Sequence, residues 1–205
     1  MRYKAVVFDF DGTLVDSNDI KRQGFFDLFP RTPEHASCVE EALANANDND
    51  TRYQTIPRMI EHMRGKSLPL ASADVSYYVK AYDRAMIKKI SHCPELEGAT
   101  QVIMSASQSA TLFVSSNTPE TSLLKILRAR GWSKYITRAY GYPRSKPETL
   151  ATILAETALP GASVAVVGDG ESDENAARRN CCAFFRVDSG TALLRIAAGW
   201  TLELS

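Results

Sequence analysis

The sequence has few of the residues that build thiol, disulfide or zinc sites. It contains four cysteines and three histidines in 205 residues, with no CxxC or Cys/His ligand spacing among them. A catalytic thiol needs a histidine partner, and no such signature surrounds a cysteine here. We therefore expect reduced, mostly buried thiols. The cysteines are Cys38, Cys93, Cys181 and Cys182, and the histidines are His35, His62 and His92.

Blocks of like charge and long apolar runs are also missing. Lysine plus arginine balances aspartate plus glutamate at 24 each, which gives no support for a nucleic-acid or membrane-surface partner. No apolar run approaches the roughly 20 residues that span a bilayer, and the N-terminus enters a strand-like segment without a signal-peptide layout. The sequence predicts a cytoplasmic protein with a small-molecule ligand and with neither nucleic acid nor membrane as a partner.

Short apolar runs bounded by turn-forming residues predict the strands of a parallel sheet, buried on both faces. Between the later runs lie helix-length segments, PETSLLKILRARG and PETLATILAETALPG, with apolar residues at helical spacing. This alternation predicts a doubly wound α/β core, similar to a Rossmann fold. The runs are AVVF at 5–8, LFV at 112–114, VAVV at 164–167 and AFF at 183–185, with YITRAY at 135–140 as a weaker fifth.

The interval 17–93 departs from this alternation because it contains helix-like stretches and no convincing strand. A chain of 205 residues can hold one good-sized core and a smaller second unit. The sequence therefore predicts a core made of residues 1–16 and 94–205, with an all-helical insertion between them. The stretches are DIKRQGFFDLF, EHASCVEEALANA, TRYQTIPRMIEHMRG and ADVSYYVKAYDRAMIKKI.

Polar residues follow the predicted strands, at the sheet edge where doubly wound folds bind ligands. Asp9 and Asp11 stand two residues apart after the first strand, so an extended backbone would point both carboxylates to one side. Two crowded negative charges call for a positive partner. The other polar residues at this edge are Ser115, Ser116 and Asn117 after the second strand, Lys146 before the next helix, and Asp169 and Asp173 after the fourth strand.

Four segments in order resemble the four motifs of the haloacid dehalogenase-like superfamily. They are FDFDGT, LFVSSN, SKPETL and VVGDGESD, and together they span nearly the whole chain. The helical interval is similar to the cap that this superfamily inserts after its first motif, as in phosphoglycolate phosphatase-like members. The resemblance implies a hydrolase with a catalytic core and a substrate-selecting cap.

The resemblance also implies roles for the residues of the first motif. Asp9 would be the nucleophile that forms an aspartyl-phosphate. Asp11 would protonate the leaving oxygen and then act as base on the hydrolytic water. Gly12 would let the backbone approach the phosphate, and Thr13 would offer an N–H and a hydroxyl.

The remaining motifs are expected to hold phosphate and metal. Ser116 and Asn117 would hydrogen-bond the phosphoryl oxygens, and Lys146 would oppose their charge. Asp169 would complete a Mg²⁺ site with the Asp9 carboxylate and the Asp11 backbone carbonyl. Asp173 would orient Lys146 or metal-bound water, with helix capping as the alternative.

Asp11 distinguishes between the reactions of the superfamily. Its dehalogenases lack this second aspartate and its phosphonatases carry alanine there, so the resemblance favours hydrolysis of a phosphate monoester. A mutase of the β-phosphoglucomutase type and an inactive phosphate-binding regulator remain alternatives. A phospho-accepting receiver domain fits less well, because receivers are shorter and have no helical insertion.

The cap is expected to choose the leaving group of a small phosphate ester, because a closed lid excludes water and large chains. Arg52, in the segment NDNDTRYQTIPRMI, is the candidate for contacting substrate, and a solvated helix arginine is the alternative. Lys21, Arg22 and Arg58 rank below it. The sequence leaves the substrate open and fits a monomer or a weak homodimer.

Overall fold

The computed structural model describes residues 2–47, 50–188 and 192–201. The chain divides into two compact units, residues 1–17 with 91–205 and residues 18–90. The boundaries differ slightly from the predicted 16/17 and 93/94. Ser17 belongs to the larger unit because its hydroxyl donates to Asp11, and Cys93 belongs there because its carbonyl accepts from Arg130.

The smaller unit, residues 18–90, is helical throughout its described elements, and we call it the helical unit. Stacked rings pack the end of its first helix and the turn after it against its fourth helix, with Phe25 on Tyr82 at 4.5 Å and Phe29 on Tyr78 at 5.2 Å between ring centroids. Thr51 begins the third helix with a capping box, which satisfies backbone N–H groups at the first turn. The helices are α1 Asn18–Phe26, α2 Pro33–Ala44, α3 Arg52–Gly65 and α4 Val75–Ile90.

The larger unit contains a five-stranded sheet, as far as the described residues show, in the order β3-β2-β1-β4-β5 with all neighbouring pairs parallel. This confirms the predicted doubly wound core. The third strand starts later than the YITRAY run, because the N–H of Tyr135 is held in a turn by the carbonyl of Trp132. The strands are β1 Ala5–Phe8, β2 Thr111–Pro119, β3 Arg138–Tyr142, β4 Val164–Gly168 and β5 Ala183–Arg186.

Helices cover the sheet and bury its side chains. On one face, Val7, Phe113 and Val166 pack with Ile153 and Ala176 from two of the helices. The alternate residues of each strand point to the opposite face, as the pleat requires. No helix in the described part of the chain is long and apolar enough to cross a membrane. The helices are α5 Ala99–Ala106, α6 Glu120–Ala129, α7 Lys146–Thr157, α8 Glu171–Arg179 and α9 Ala192–Thr201.

Two burial expectations are corrected by the structure. The fifth strand was expected to be buried on both faces, but Phe184 and Phe185 are half-buried because β5 lies at the sheet edge. The four cysteines are free thiols, but only Cys38 and Cys93 are buried. Cys181 is exposed and Cys182 half-buried, because they lie in the connection after α8 rather than inside a packed element.

We expect Gly141→Ala to destabilise the protein, because an added Cβ would lie within 3.0 Å of the Thr118 carbonyl oxygen and the Glu120 nitrogen. Backbone atoms cannot move aside cheaply, so the free energy of unfolding should fall by about 1 to 3 kcal/mol, as in overpacked interiors. Urea denaturation measures the change. Gly65→Ala is the control, since its added Cβ would meet no described atom within 4 Å outside the adjoining residues and the backbone of its own helix. Equal effects of the two variants would contradict the prediction.

Candidate active site

The first strand delivers two carboxylates to the carboxyl edge of the sheet. The N–H of Asp9 donates to the Val167 carbonyl at 2.8 Å, which extends the pairing of β1 with β4 by one residue. Asp9 is 5 % exposed and Asp11 is 9 % exposed. Gly12 then adopts a left-handed φ of 77°, and its N–H donates to the Val15 carbonyl at 2.9 Å. The tight turn keeps both carboxylates at the end of the strand.

Asp11 accepts hydrogen bonds from three hydroxyl groups. Ser17 Oγ donates to Oδ1 at 2.6 Å, while Ser116 Oγ and Thr118 Oγ1 donate to Oδ2 at 3.2 and 2.9 Å. The Thr118 N–H in turn donates to Ser116 Oγ at 3.0 Å. Since both carboxylate oxygens have donors, the plane of the Asp11 carboxylate is fixed.

Ser17 and Thr118 were not among the residues predicted from the sequence. Both stand in the polar runs that follow strands, DGTLVDS and SSNT, which is the signal that could have identified them. The pairing of β2 with β3 shifts register between Ser115 and Pro119. The contact of Thr118 with Asp11 therefore lies in an irregular part of the strand, which spacing alone does not foresee.

Lys146 is the cation near these carboxylates. It is the first residue of α7, whose start is fixed by a capping box between Ser145 and Glu148. Its Nζ lies 3.1 Å from Asp9 Oδ1 and donates to Asp173 Oδ2 at 2.8 Å. All three side chains are buried. The lysine therefore joins β1, α7 and α8 through one ion-pair network.

The buried charges shift one another's pKa values. Burial raises the pKa of Asp9 well above its ordinary value; Lys146 opposes this effect, and the charges of Asp173, Asp11 and Asp169 add to it. Burial lowers the pKa of Lys146, but the charges of Asp9 and Asp173 outweigh it and raise that pKa above the ordinary value. Lys146 is thus held in its charged form, and burial together with the neighbouring carboxylates disfavours the ionised form of Asp9 unless a further cation is bound.

The carboxylates also form a cluster that fits a divalent cation. One oxygen each from Asp9, Asp169 and Asp173 lies within 4.8 Å of the others. Gly168 makes room for this arrangement, because a Cβ there would collide with the Asp173 side chain. Hard oxygen ligands with excess negative charge are the donor set that Mg²⁺ prefers. Lys146 contacts both Asp9, at 3.1 Å, and Asp173, at 2.8 Å, so a metal in this cluster would share these carboxylates with the lysine.

The other residues predicted at this sheet edge are buried to different degrees. Ser115 is buried at the end of β2, and Asn117 beside it is half-buried. Thr13 is fully buried, and its hydroxyl has no hydrogen-bond partner among the described residues. Its predicted contact with phosphate stays a prediction.

Arg52 lies in the helical unit and is not a solvated arginine. Its side chain is buried, its guanidinium donates to Asp83, and its central carbon lies 4.9 Å from the centroid of the Tyr82 ring. The charge of Arg52 is therefore balanced within its own unit. Its predicted contact with substrate stays a prediction.

We expect Lys146→Met to lower the free energy of unfolding by about 3 to 5 kcal/mol in the absence of divalent cations, because Asp9 and Asp173 would lose their buried cation. Lys89→Met is the control. It removes a pair with Asp27 in which both side chains are partly exposed, and such pairs contribute about 0 to 1 kcal/mol. Urea denaturation in EDTA measures the free energy of unfolding of both variants. A loss at Lys146 no larger than that at Lys89 would refute the prediction.

Comparison with known proteins agrees with the fold and motifs. Residues 3–180 match the family model described as haloacid dehalogenase-like hydrolase. No curated protein matches the chain. Solved structures with a similar fold include YfnB from Bacillus subtilis, described as a HAD-hydrolase bound to magnesium. It is 16 % identical with a TM-score of 0.71, over 92 % of this chain and 88 % of that one.

Two further structures have the same architecture. A predicted phosphoglycolate phosphatase from Haemophilus somnus is 20 % identical with a TM-score of 0.71, over 93 % of this chain and 87 % of that one. A protein from Thermotoga maritima described as a beta-phosphoglucomutase is 18 % identical with a TM-score of 0.67, over 95 % and 91 %. The family match confirms what the four motifs predicted: the chain is a hydrolase that belongs to the haloacid dehalogenase-like family.

Proposed function

We propose that the protein is a Mg²⁺-dependent phosphatase that hydrolyses a small-molecule phosphate monoester through an aspartyl-phosphate on Asp9. The observation that carries this proposal is the contrast between two neighbouring buried carboxylates. Asp9 contacts the cation Lys146, whereas Asp11 contacts three hydroxyls. Carboxylates in such different surroundings are suited to different tasks, one as nucleophile and the other as acid and base.

The first step of the proposed reaction transfers the phosphoryl group to the protein. A carboxylate oxygen of Asp9 forms a bond to phosphorus while the ester P–O bond breaks. The electron pair of that bond goes to the leaving oxygen, which takes a proton from Asp11. Lys146 opposes the charge on the phosphoryl oxygens, and Ser116 and Asn117 supply hydrogen bonds to them.

The second step regenerates the protein. Asp11, now ionised, takes a proton from water as the water oxygen forms its bond to phosphorus. The bond between phosphorus and Asp9 breaks, and inorganic phosphate leaves. The same carboxylate therefore serves as acid and then as base: its first proton leaves on the alcohol, and a proton from water replaces it.

In this proposal, the Asp9 and Asp169 carboxylates and the Asp11 backbone carbonyl hold Mg²⁺. The fit rests on the cluster of oxygens around Asp9 and on the excess negative charge there. A bound Mg²⁺ supplies positive charge that offsets the charge of the phosphoryl group. The magnesium reported in YfnB, which has the same fold, supports this choice of metal.

We assign the helical unit the role of a cap that selects the leaving group. This role is supported by the structural likeness to a predicted phosphoglycolate phosphatase, which covers 93 % of this chain and so extends into the helical unit. The substrate would be a small ester because the carboxylates that carry the chemistry are themselves buried.

We expect Asp9→Asn to abolish phosphate release from small phosphomonoesters in Mg²⁺, by at least about 10⁴-fold, as when other covalent catalysts lose their nucleophile. Asp11→Asn should lose about 10² to 10⁴-fold, the contribution of a general acid. Colorimetric phosphate assay measures both. Asp16→Asn is the control, because Asp16 is exposed and follows the same strand.

Two results would contradict the proposal. Phosphate release that survives in Asp9→Asn would exclude the aspartyl-phosphate. Turnover that requires an added sugar bisphosphate as phosphoryl donor would identify a mutase instead.

We expect Mg²⁺ to stabilise the native chain against heat, since a ligand at 100 times its Kd adds about 2.7 kcal/mol. Asp169→Asn should lose this rise in Tm because it removes one carboxylate from the cluster. Glu171→Gln is the control, as Glu171 is exposed two residues later. Differential scanning calorimetry with Mg²⁺ or EDTA measures the shift. An unchanged rise in Asp169→Asn would place the metal elsewhere.

A further inference from the structure

We propose that Thr118 is a positioning residue that holds Asp11 in place for proton transfer, an inference that rests on the proposed phosphatase function. Thr118 is 2 % exposed and donates through Oγ1 to Asp11 Oδ2 at 2.9 Å. Through its N–H it also donates to Ser116 Oγ at 3.0 Å. One residue thus contacts both the acid and base group and the hydroxyl proposed to bind phosphate.

The backbone around Thr118 is held by close packing of the neighbouring strand. The pairing of β2 with β3 shifts register between Ser115 and Pro119, so Thr118 lies inside the irregular segment. Gly141 in β3 approaches so closely that an added Cβ would collide with the Thr118 carbonyl oxygen. A side chain on such a constrained backbone holds its partner in a narrow range of positions.

Ser116 has one hydroxyl proton, and the proposed reaction gives it two acceptors. In this structure the proton is donated to Asp11 Oδ2, at 3.2 Å. In the proposed reaction the same hydroxyl donates to a phosphoryl oxygen, and a single O–H cannot serve both acceptors well. When phosphate takes the Ser116 proton, Thr118 continues to donate to Oδ2. Thr118 therefore keeps the Asp11 carboxylate oriented in the state where the chemistry occurs.

The effect of a misplaced Asp11 on the rate of the first step depends on the leaving group. Asp11 gives its proton to the ester oxygen as the P–O bond breaks, and it recovers a proton from water in the second step. An alkyl ester needs that first proton because an alkoxide is a poor leaving group. An aryl ester such as 4-nitrophenyl phosphate needs little help, because its phenolate is stable. A misplaced Asp11 should therefore slow the first step for alkyl esters more than for aryl esters.

The test compares kcat/KM for 4-nitrophenyl phosphate and glycerol phosphate, since kcat/KM reports formation of the phosphorylated protein and leaves out its hydrolysis. Thr118→Val removes the hydroxyl but keeps the N–H donated to Ser116. We expect kcat/KM to fall about 10-fold or more for glycerol phosphate and less than about 3-fold for 4-nitrophenyl phosphate. The fall for glycerol phosphate is smaller than the full contribution of a general acid because Asp11 is misplaced rather than removed. Inhibition by inorganic phosphate should be unchanged, and Thr118→Ser should restore the alkyl ester rate.

Thr157→Val is the matched control, because it removes a half-buried hydroxyl that donates to the Ile153 carbonyl in α7. An equal fall in kcat/KM for both esters in Thr118→Val would overturn the positioning role. If Thr118→Val does not fold, Thr118→Ala is measured in the same way, and the ratio of the two esters decides. A native chain that hydrolyses neither of these esters nor any other member of a panel of alkyl and aryl phosphomonoesters would instead overturn the phosphatase function itself, so the two failures are distinguishable.

Discussion

The contact of Lys146 with two buried carboxylates is the constraint on which the site depends. A lysine at the first residue of a helix faces the positive end of the helix dipole, which disfavours it. Asp9 and Asp173 offset that effect, and in doing so they fix the end of β1 and the first turn of α8 against α7. Buried ion pairs add little net stability compared with apolar packing. The network is therefore better explained by the chemistry it organises than by stability.

That network also makes two similar carboxylates behave differently. Asp9 and Asp11 leave the same strand, yet the Asp9 side chain meets a cation and the Asp11 side chain meets hydroxyls. Burial raises the pKa of Asp9 and Lys146 opposes that effect, whereas the hydroxyls around Asp11 fix the orientation of its carboxylate.

The sequence predicted the parts of the molecule that depend on short-range pattern. Apolar runs predicted the strands, and Asp9 and Lys146, both singled out in the sequence, are in contact in the structure. It did not predict which strand lies at the sheet edge, so the exposure of Phe184 was missed. Nor did it predict Thr118, since a register shift between two strands decides that contact. Pattern identifies elements, whereas long-range register decides which side chains meet.

Arg52 shows the same limit, and its pairing sets a condition on its predicted contact with substrate. Its pairing with Asp83 joins residues 31 positions apart on two helices, and Tyr82 covers the guanidinium. An arginine that is already paired can bind a substrate anion only by sharing or releasing Asp83. Releasing it would leave a largely buried carboxylate without that cation, which is costly. Selection of the leaving group through Arg52 would therefore require a substrate anion whose attraction to the guanidinium outweighs the loss of Asp83, as a bidentate carboxylate or phosphate can provide.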